Sequence, residues 1–180
     1  MQESRQKRIL NDGSEVEIRP LTEEDFDRSV HFFKELPEQD RLNLRVDVSD
    51  PEVIRQRLKC DDYQNVFRIV ALHEDRIVGD GVLQWPKYGW TSHVGEIRAI
   101  TSSDFRRKGL ATILFRELFL HGVREGLEKI EAKMLVDQTS ARACVEKLGF
   151  TEEGILPGFA MDAGGKIHDM VIMSTHVTGF

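Results

Sequence analysis

Along the chain, stretches in which hydrophobic residues alternate with polar ones take turns with stretches where they recur every three or four residues, the order expected of a mixed α/β protein. At the N-terminus, "RILNDGSEVEIRPL" sets two short extended runs, Lys7 to Leu10 and Val16 to Pro20, around Asn11-Asp12-Gly13, a turn chemistry that tolerates positive φ. "TEEDFDRSVHFFKEL" then offers Thr22 as an N-cap, acids in the first turn, and Phe26, Val30 and Phe33 on one helical face; this helix should end near Leu36 and Pro37. Asp50 before Pro51 starts a second helix, with Val53, Ile54 and Leu58 on its buried side. "VFRIVALHEDRIVGDGVLQW" predicts a second hairpin turning at Glu74 and Asp75, with Ile69, Ala71, Val78 and Val82 inward.

A turn-rich loop, "PKYGWTS", leads into a fourth main strand, "HVGEIRAIT". The helix after it should run from about Lys108 to Glu125 and close on Gly126 in a left-handed cap. Its "LATILFRELFLHGV" is apolar around most of the circumference, so burial on more than one side is expected. "KIEAKMLV" alternates as a fifth strand, and "QTSARACVEKLGF" brings Ala141, Cys144, Val145 and Leu148 to one side of a short helix closed by Gly149. Stretches around Phe150 to Leu156 and Lys166 to Thr175 flank Ala163-Gly164-Gly165 as a last hairpin. The expectation is a single domain over residues 1–180, with the N-terminal hairpin as an extension.

Composition narrows the function. With 40% hydrophobic and 31% charged residues, the chain reads as an ordered globular protein. A net charge of -6 argues against a general nucleic-acid binder, which needs a broad basic face. Cys60 and Cys144 make no metal-binding spacing, so no metal site is expected and a cytoplasmic setting is the natural reading. No signal peptide or membrane-spanning pattern is evident.

Against this acidic background, "DFRRKGLATILF" concentrates three cations, Arg106, Arg107 and Lys108, beside Gly109 at a predicted helix start. First-turn N–H groups lack internal partners and the helix dipole adds positive charge, so the segment suits an anion such as a pyrophosphate, held by N–H groups of Lys108 through Thr112 with Arg106 and Arg107 at its edge. The bland alternative is a decorated loop. The spacing is neither that of the phosphate loop of nucleotide triphosphatases nor the triple glycine of dinucleotide sites.

Arg106-x-x-Gly109-x-Ala111 resembles the Arg/Gln-x-x-Gly-x-Gly/Ala signature of the GNAT superfamily of acetyl-CoA-dependent N-acetyltransferases, and "QTSARACVEKLGF" is similar to that superfamily's second motif. The resemblance implies a GNAT fold: a mixed, mostly antiparallel sheet flanked by helices, with its fourth and fifth strands splayed to admit the pantetheine arm of acetyl-CoA. It implies arm contacts from backbone near Ala99, Ile100 and Thr101 and from Gln138, which replaces the family's asparagine. It also implies a pyrophosphate seat on Arg106, Arg107, Lys108, Gly109, Leu110, Ala111 and Thr112, and an oxyanion donor in the N–H near Ile100.

Direct attack by an amine needs a base, because an alkylammonium with a pKa of about 10.4 is not nucleophilic. Glu96, mid-strand among apolar neighbours and on one face with Val94, Arg98 and Ile100, is the candidate catalytic residue; the competing reading is a structural ion pair with Arg98. His93 falls on the opposite face. The tyrosine that serves many members as general acid is replaced by Val145, and Cys144 beside it reads as a core residue. The N-terminal pattern, "DRLNLRV" and the glutamate strand look like the acetyltransferase domain of bacterial protein-lysine acetyltransferases that modify acyl-CoA synthetases. The acceptor amine would then be a protein lysine or a small molecule. Trp85, Tyr88 and Trp90 are candidates for a wall around it, with a hairpin rim or a homodimer contact as alternatives. His168-Asp169 reads as strand structure rather than a dyad. A non-catalytic acyl-CoA-binding regulatory module is the alternative function, favoured by Val145 and opposed by Glu96.

Overall fold

The computed structural model describes residues 5–42, 44, 46–48, 50–58 and 64–177, without the side chains of residues 42 and 64. Strands β1 (Gln6–Ile9), β2 (Glu15–Pro20), β3 (Gln64–His73), β4 (Arg76–Pro86) and β5 (Val94–Thr101) pair antiparallel in succession. β6 (Lys129–Leu135) joins β5 in parallel, and β8 (Ile167–His176) lies between β6 and the edge strand β7 (Thr151–Met161), giving the order β1-β2-β3-β4-β5-β6-β8-β7. The mixed, mostly antiparallel sheet matches the expected architecture; the fourth and fifth main strands are β5 and β6 once both strands of the first hairpin are counted.

Helices cover the middle of this sheet on both sides. On one face, α1 (Phe26–Glu35) and α3 (Pro51–Arg57) pack Phe32, Phe33 and Ile54 against Val70. On the other, α4 (Leu110–Arg124) and α5 (Thr139–Glu146) pack Leu110, Leu114, Leu118 and Val145 against Ile69, Ala71, Ile97, Ile130 and Ala132. β4 is consequently buried without interruption from Ile77 to Leu83, where the hairpin pattern had marked only alternate residues as inward. Glycines permit the close approach of α4: a Cβ on Gly79 would lie 2.9 Å from Leu114 Cδ1, and one on Gly81 would lie 3.2 Å from Leu118 Cδ1.

Most sequence boundaries agree within two residues, and the departures have local causes. The last hairpin is longer than expected: β7 continues through Pro157 to Met161 because a register shift between Leu156 and Ala160 absorbs the proline. A short helix, α2 (Glu38–Leu42), occupies a stretch that showed no periodic pattern. α4 begins at Leu110 rather than Lys108, because Arg107 (φ 59°) and Gly109 (φ 88°) both turn left-handed before it. Cys60 lies outside the described residues.

The entry to α1 is fixed by a buried ion pair. Asp25, fully buried, takes two hydrogen bonds from Arg19 (2.6 and 2.7 Å) and one from the Thr22 N–H (3.0 Å). Burial opposes its charge, but the Arg19 and Thr22 bonds outweigh that and lower its pKa below the usual value. A depressed folded-state pKa adds stability that is present above the unfolded value, near 3.9, and is lost as pH falls through the folded one. Asp25→Asn should therefore cost about 3 kcal/mol at pH 7, and urea titrations should show the gap from the wild type closing below about pH 4. A pH-independent gap would remove the ion pair as its cause.

Candidate active site

One strand pair leaves its ladder early. β5 and β6 are in register only over Val94–Glu96 with Lys129–Glu131, although β5 continues to Thr101 and β6 to Leu135. Beyond Glu96 the two strands part, so Ile97 to Thr101 present backbone to a cleft on one side while pairing with β4 on the other. A polar linear ligand can complete such an edge by backbone hydrogen bonding. Ile100 and Thr101 lie on this open side, and the splay predicted between the fourth and fifth strands is present.

From Thr101 the chain passes through a 3-10 turn, Ser103–Phe105, into the basic run and α4. Gly109 occupies the N-cap with no side-chain hydrogen bond to the first turn, and the first bond of the helix runs from the Ile113 N–H to the Gly109 carbonyl (3.2 Å). The N–H groups of Leu110, Ala111 and Thr112 are thus the uncapped first turn of a fifteen-residue helix, and the two left-handed residues before it form the kind of concave backbone that cradles anions. Lys108 precedes the helix, so its N–H belongs to this loop rather than to the first turn. These features fit a diphosphate-bearing coenzyme.

Sequence reasoning missed the acids around this loop. Arg106 is ion-paired with Asp40 of α2, and Lys108 with Asp12 at 2.8 Å, while Arg107 is exposed. The Asn11 N–H also donates to the Lys108 carbonyl (3.0 Å), and the Asn11 amide would lie 3.2 Å from a Cβ on Gly109. The Asn11-Asp12-Gly13 turn is therefore docked on the loop. The Lys108 bond, with help from Ser14, lowers the Asp12 pKa to about 2.

Glu96 sits at the vertex where β5 and β6 separate and is 9% exposed. Arg98 Nε lies 3.8 Å from its Oε1, so the anticipated pair with Arg98 is present. A second partner was not anticipated: Lys133 Nζ approaches Glu96 Oε2 at 3.3 Å and Glu131 Oε1 at 2.5 Å. Burial works against the Lys133 charge, but the Glu131 hydrogen bond and the field of Glu96 raise its pKa above the ordinary value. "KIEAKMLV" assigned Lys133 to the polar side of its strand; only the parallel register of β5 with β6 brings it to Glu96.

Other candidates lie apart from this vertex. Odd-numbered Trp85 points to the α4 face, with its ring 6.3 Å from that of His121, whereas Gln84 is the residue opposite Glu96. Tyr88 and Trp90 are 78% and 98% exposed, so the three aromatics do not form one wall. Val145 is completely buried in the core beside partly buried Cys144. Gln138, the N-cap of α5, accepts a hydrogen bond from the Leu135 N–H at the end of β6 (3.0 Å). His168 contacts Asp162 (2.9 Å), while Asp169 accepts from the Gly158 N–H (2.8 Å), so the two neighbours serve the hairpin separately.

Comparison with known proteins bears on the family and the fold. Residues 30–150 match the model of the acetyltransferase (GNAT) family. No curated protein sequence matches the chain. Among solved structures, the GNAT domain of PAT from S. lividans superposes with a TM-score of 0.76 at 14% identity, covering 96% of this chain and 97% of that one. A ribosomal-protein-alanine N-acetyltransferase from Brucella melitensis gives 0.74 at 20% identity over 89% and 99%. The ribosomal L7/L12 alpha-N-protein acetyltransferase RimL, in complex with coenzyme A, gives 0.75 at 17% over 90% and 94%. At these identities the structures speak for the fold, and the sequence family is carried by the 30–150 match: the chain belongs to the acetyltransferase (GNAT) family.

Proposed function

We propose that this protein is an acetyl-CoA-dependent N-acetyltransferase that joins donor and amine by direct attack in the β5–β6 cleft. The observation that carries this reading is the continuity of the open β5 edge with the uncapped α4 N-terminus, a groove and an anion seat in one line. Acetyl-CoA supplies an activated acyl group and a diphosphate handle. Ile100 and Thr101 would pair with the pantetheine arm, Leu110 to Thr112 and Gly109 would hold the diphosphate by backbone N–H groups, and Arg106, Arg107 and Lys108 would surround it with positive charge. Gln138 would meet the arm from the β6 side. The N–H near Ile100 would donate to the thioester oxygen as charge develops there.

In this scheme the amine nitrogen bonds to the carbonyl carbon, the carbon–sulfur bond breaks, and the amine proton passes to Glu96 directly or through water. An ammonium and a carboxylate differ by about six pKa units in water. Positioning of the amine against the carboxylate in the cleft would offset that gap. Lys133 would place its positive charge beside the Glu96 carboxylate, 3.3 Å from Oε2. With Val145 in the core, the departing thiolate would take its proton from water; a thiol pKa near 8.5 makes it a tolerable leaving group. Val145 is also what favours the second reading, a non-catalytic acyl-CoA-binding module.

Thiol release with an amine panel separates the two readings. Glu96→Gln should bind coenzyme normally and slow turnover by about a hundredfold, with the gap narrowing below the acidic limb where the wild-type carboxylate is itself protonated; unchanged turnover removes Glu96 as base. Lys133→Met takes away the cation that favours the Glu96 carboxylate, so the acidic limb of kcat/KM should move to higher pH; an unmoved limb would mean that another group titrates there. Gly109→Asp places a bulky anion in the seat, and a folded variant that still binds coenzyme tightly would refute the phosphate assignment.

A further inference from the structure

On the α1 and α3 face of the sheet, side chains converge from three strands and one helix. The register puts Arg68, Val82 and Arg98 in one lateral row, Val70, Asp80 and Ile100 in the next, and Val66, Gln84 and Glu96 on the other side. Residues directly opposite in paired strands share a face. Arg57, the last residue of α3, reaches this floor with Nη2 2.6 Å from Asp80 Oδ1 and its guanidinium 4.8 Å from the Phe33 ring centroid. Arg98 donates to Gln84 (2.5 Å) and lies beside Glu96.

The third guanidinium is the odd one. Arg68 gives its Nε to the Arg57 carbonyl at 2.9 Å, and among the described residues that is its side chain's single hydrogen bond, with no ion pair. In the described part of this face, Arg57, Arg68, Arg98 and Lys133 meet Asp80, Glu96 and Glu131, with Lys133 placed between the two glutamates and Arg68 left beside Arg57 and Asp80. Burial and the nearby Arg57 charge, with a smaller push from Arg98 and only partial relief from Asp80, bring the Arg68 pKa down to about 10. Like charges gathered at a half-buried site beside Glu96 favour an anion, and a guanidinium whose terminal nitrogens have no partner among the described residues matches a carboxylate fork.

We infer that Arg68, flanked by Arg57 and Arg98, binds a carboxylate carried by the amine acceptor. The inference rests on the acetyl-transfer reading for the amine's fate, though not for the anion's seat. With strands about 4.8 Å apart and a rise of about 3.4 Å per residue, the Cα atoms of Arg68 and Glu96 are about 12 Å apart. After both side chains extend inward, the remaining span suits an amine several carbons from its carboxylate: an ω-amino acid, or a lysine with an acidic neighbour in a peptide. Polyamines and aminoglycosides, as polycations, would be repelled.

The matched probes are 5-aminopentanoate against 5-aminopentanamide, and a lysine peptide with flanking glutamates against the same peptide with glutamines. Binding is read from the Arg68 Nε–Hε resonance of the protein alone, and transfer from thiol release. Arg68→Gln keeps a donor for the Arg57 carbonyl and removes the charge. The wild type should prefer one carboxylated probe over its amide by at least about tenfold in affinity and in kcat/KM. Arg68→Gln should erase that preference by raising KM for the acid and leave the amide's kcat/KM unchanged. The member of the pair that binds better assigns the source, free amino acid or peptide. Equal binding of acid and amide in both pairs, or an equal loss for both in Arg68→Gln, overturns the inference even if acetyl transfer is found. Carboxylate binding at Arg68 without thiol release from any amine would leave the anion seat standing and sink the transferase reading instead.

Discussion

The structure turns on a hydrogen-bond ladder that stops. Backbone N–H and C=O groups must be paired, and a strand that ends its pairing in the middle of a sheet leaves an obligation that solvent or a ligand has to meet. Here the obligation falls on Ile97 to Thr101, directly before the chain turns into α4. What keeps the strands together up to that point is packing below the vertex. Gly95, at the paired end of β5, lets Leu127 and Leu83 close over it, and Gly122 of α4 does the same for Ile130. The junction is thus tight at one end and open at the other, and the cleft has a fixed floor.

The charge pattern follows from the same division. The chain is acidic overall, yet its basic run is placed where the open edge meets the helix N-terminus, and two of its three cations already have carboxylate partners in Asp12 and Asp40. On the proposed reading, a phosphate arriving there would exchange one anion for another rather than meet bare cations. Such an exchange would lower the electrostatic gain from Arg106 and Lys108 and leave the larger share to backbone N–H groups, whose direction is set by α4. It also ties the N-terminal hairpin to the site, since Asn11 and Asp12 hold the loop from outside the central sheet.

How legible this was in the sequence depended on the range of the interaction. Local chemistry was readable: Thr22 and Asp50 as caps, Gly126 and Gly149 as helix-ending left-handed positions, and the helix that follows the basic run all occur where the residue pattern put them, within two residues. Pairings across the sheet were not. Lys133 and Glu96 are thirty-seven residues apart, and nothing in either strand alone says that they share a face. Trp85 illustrates the same point from the other side. One step of parity relative to Gln84 sends it to the α4 face, and that parity is fixed only by the register of β4 against β5. Arg68 escaped notice for this reason too, as one arginine within the apolar run Val66–Leu72 whose company comes from α3 and β5.

Val145 shows how a missing residue can be as informative as a present one. Its side chain is completely enclosed by the core that α5 shares with α4, so the position belongs to packing and gives the cleft no hydroxyl. A tyrosine there would have to leave that core or displace it, since added volume in a close-packed interior is itself destabilising. The polar groups have gathered instead on the opposite side of the sheet, where Glu96, Lys133 and Glu131 form a continuous charged row across the vertex. On the proposed reading, with the amine meeting this face, these ionisable groups would control the amine's proton and leave the sulfur's to solvent. Activation of the amine, rather than departure of the thiolate, would then be the step that this chain's residues govern.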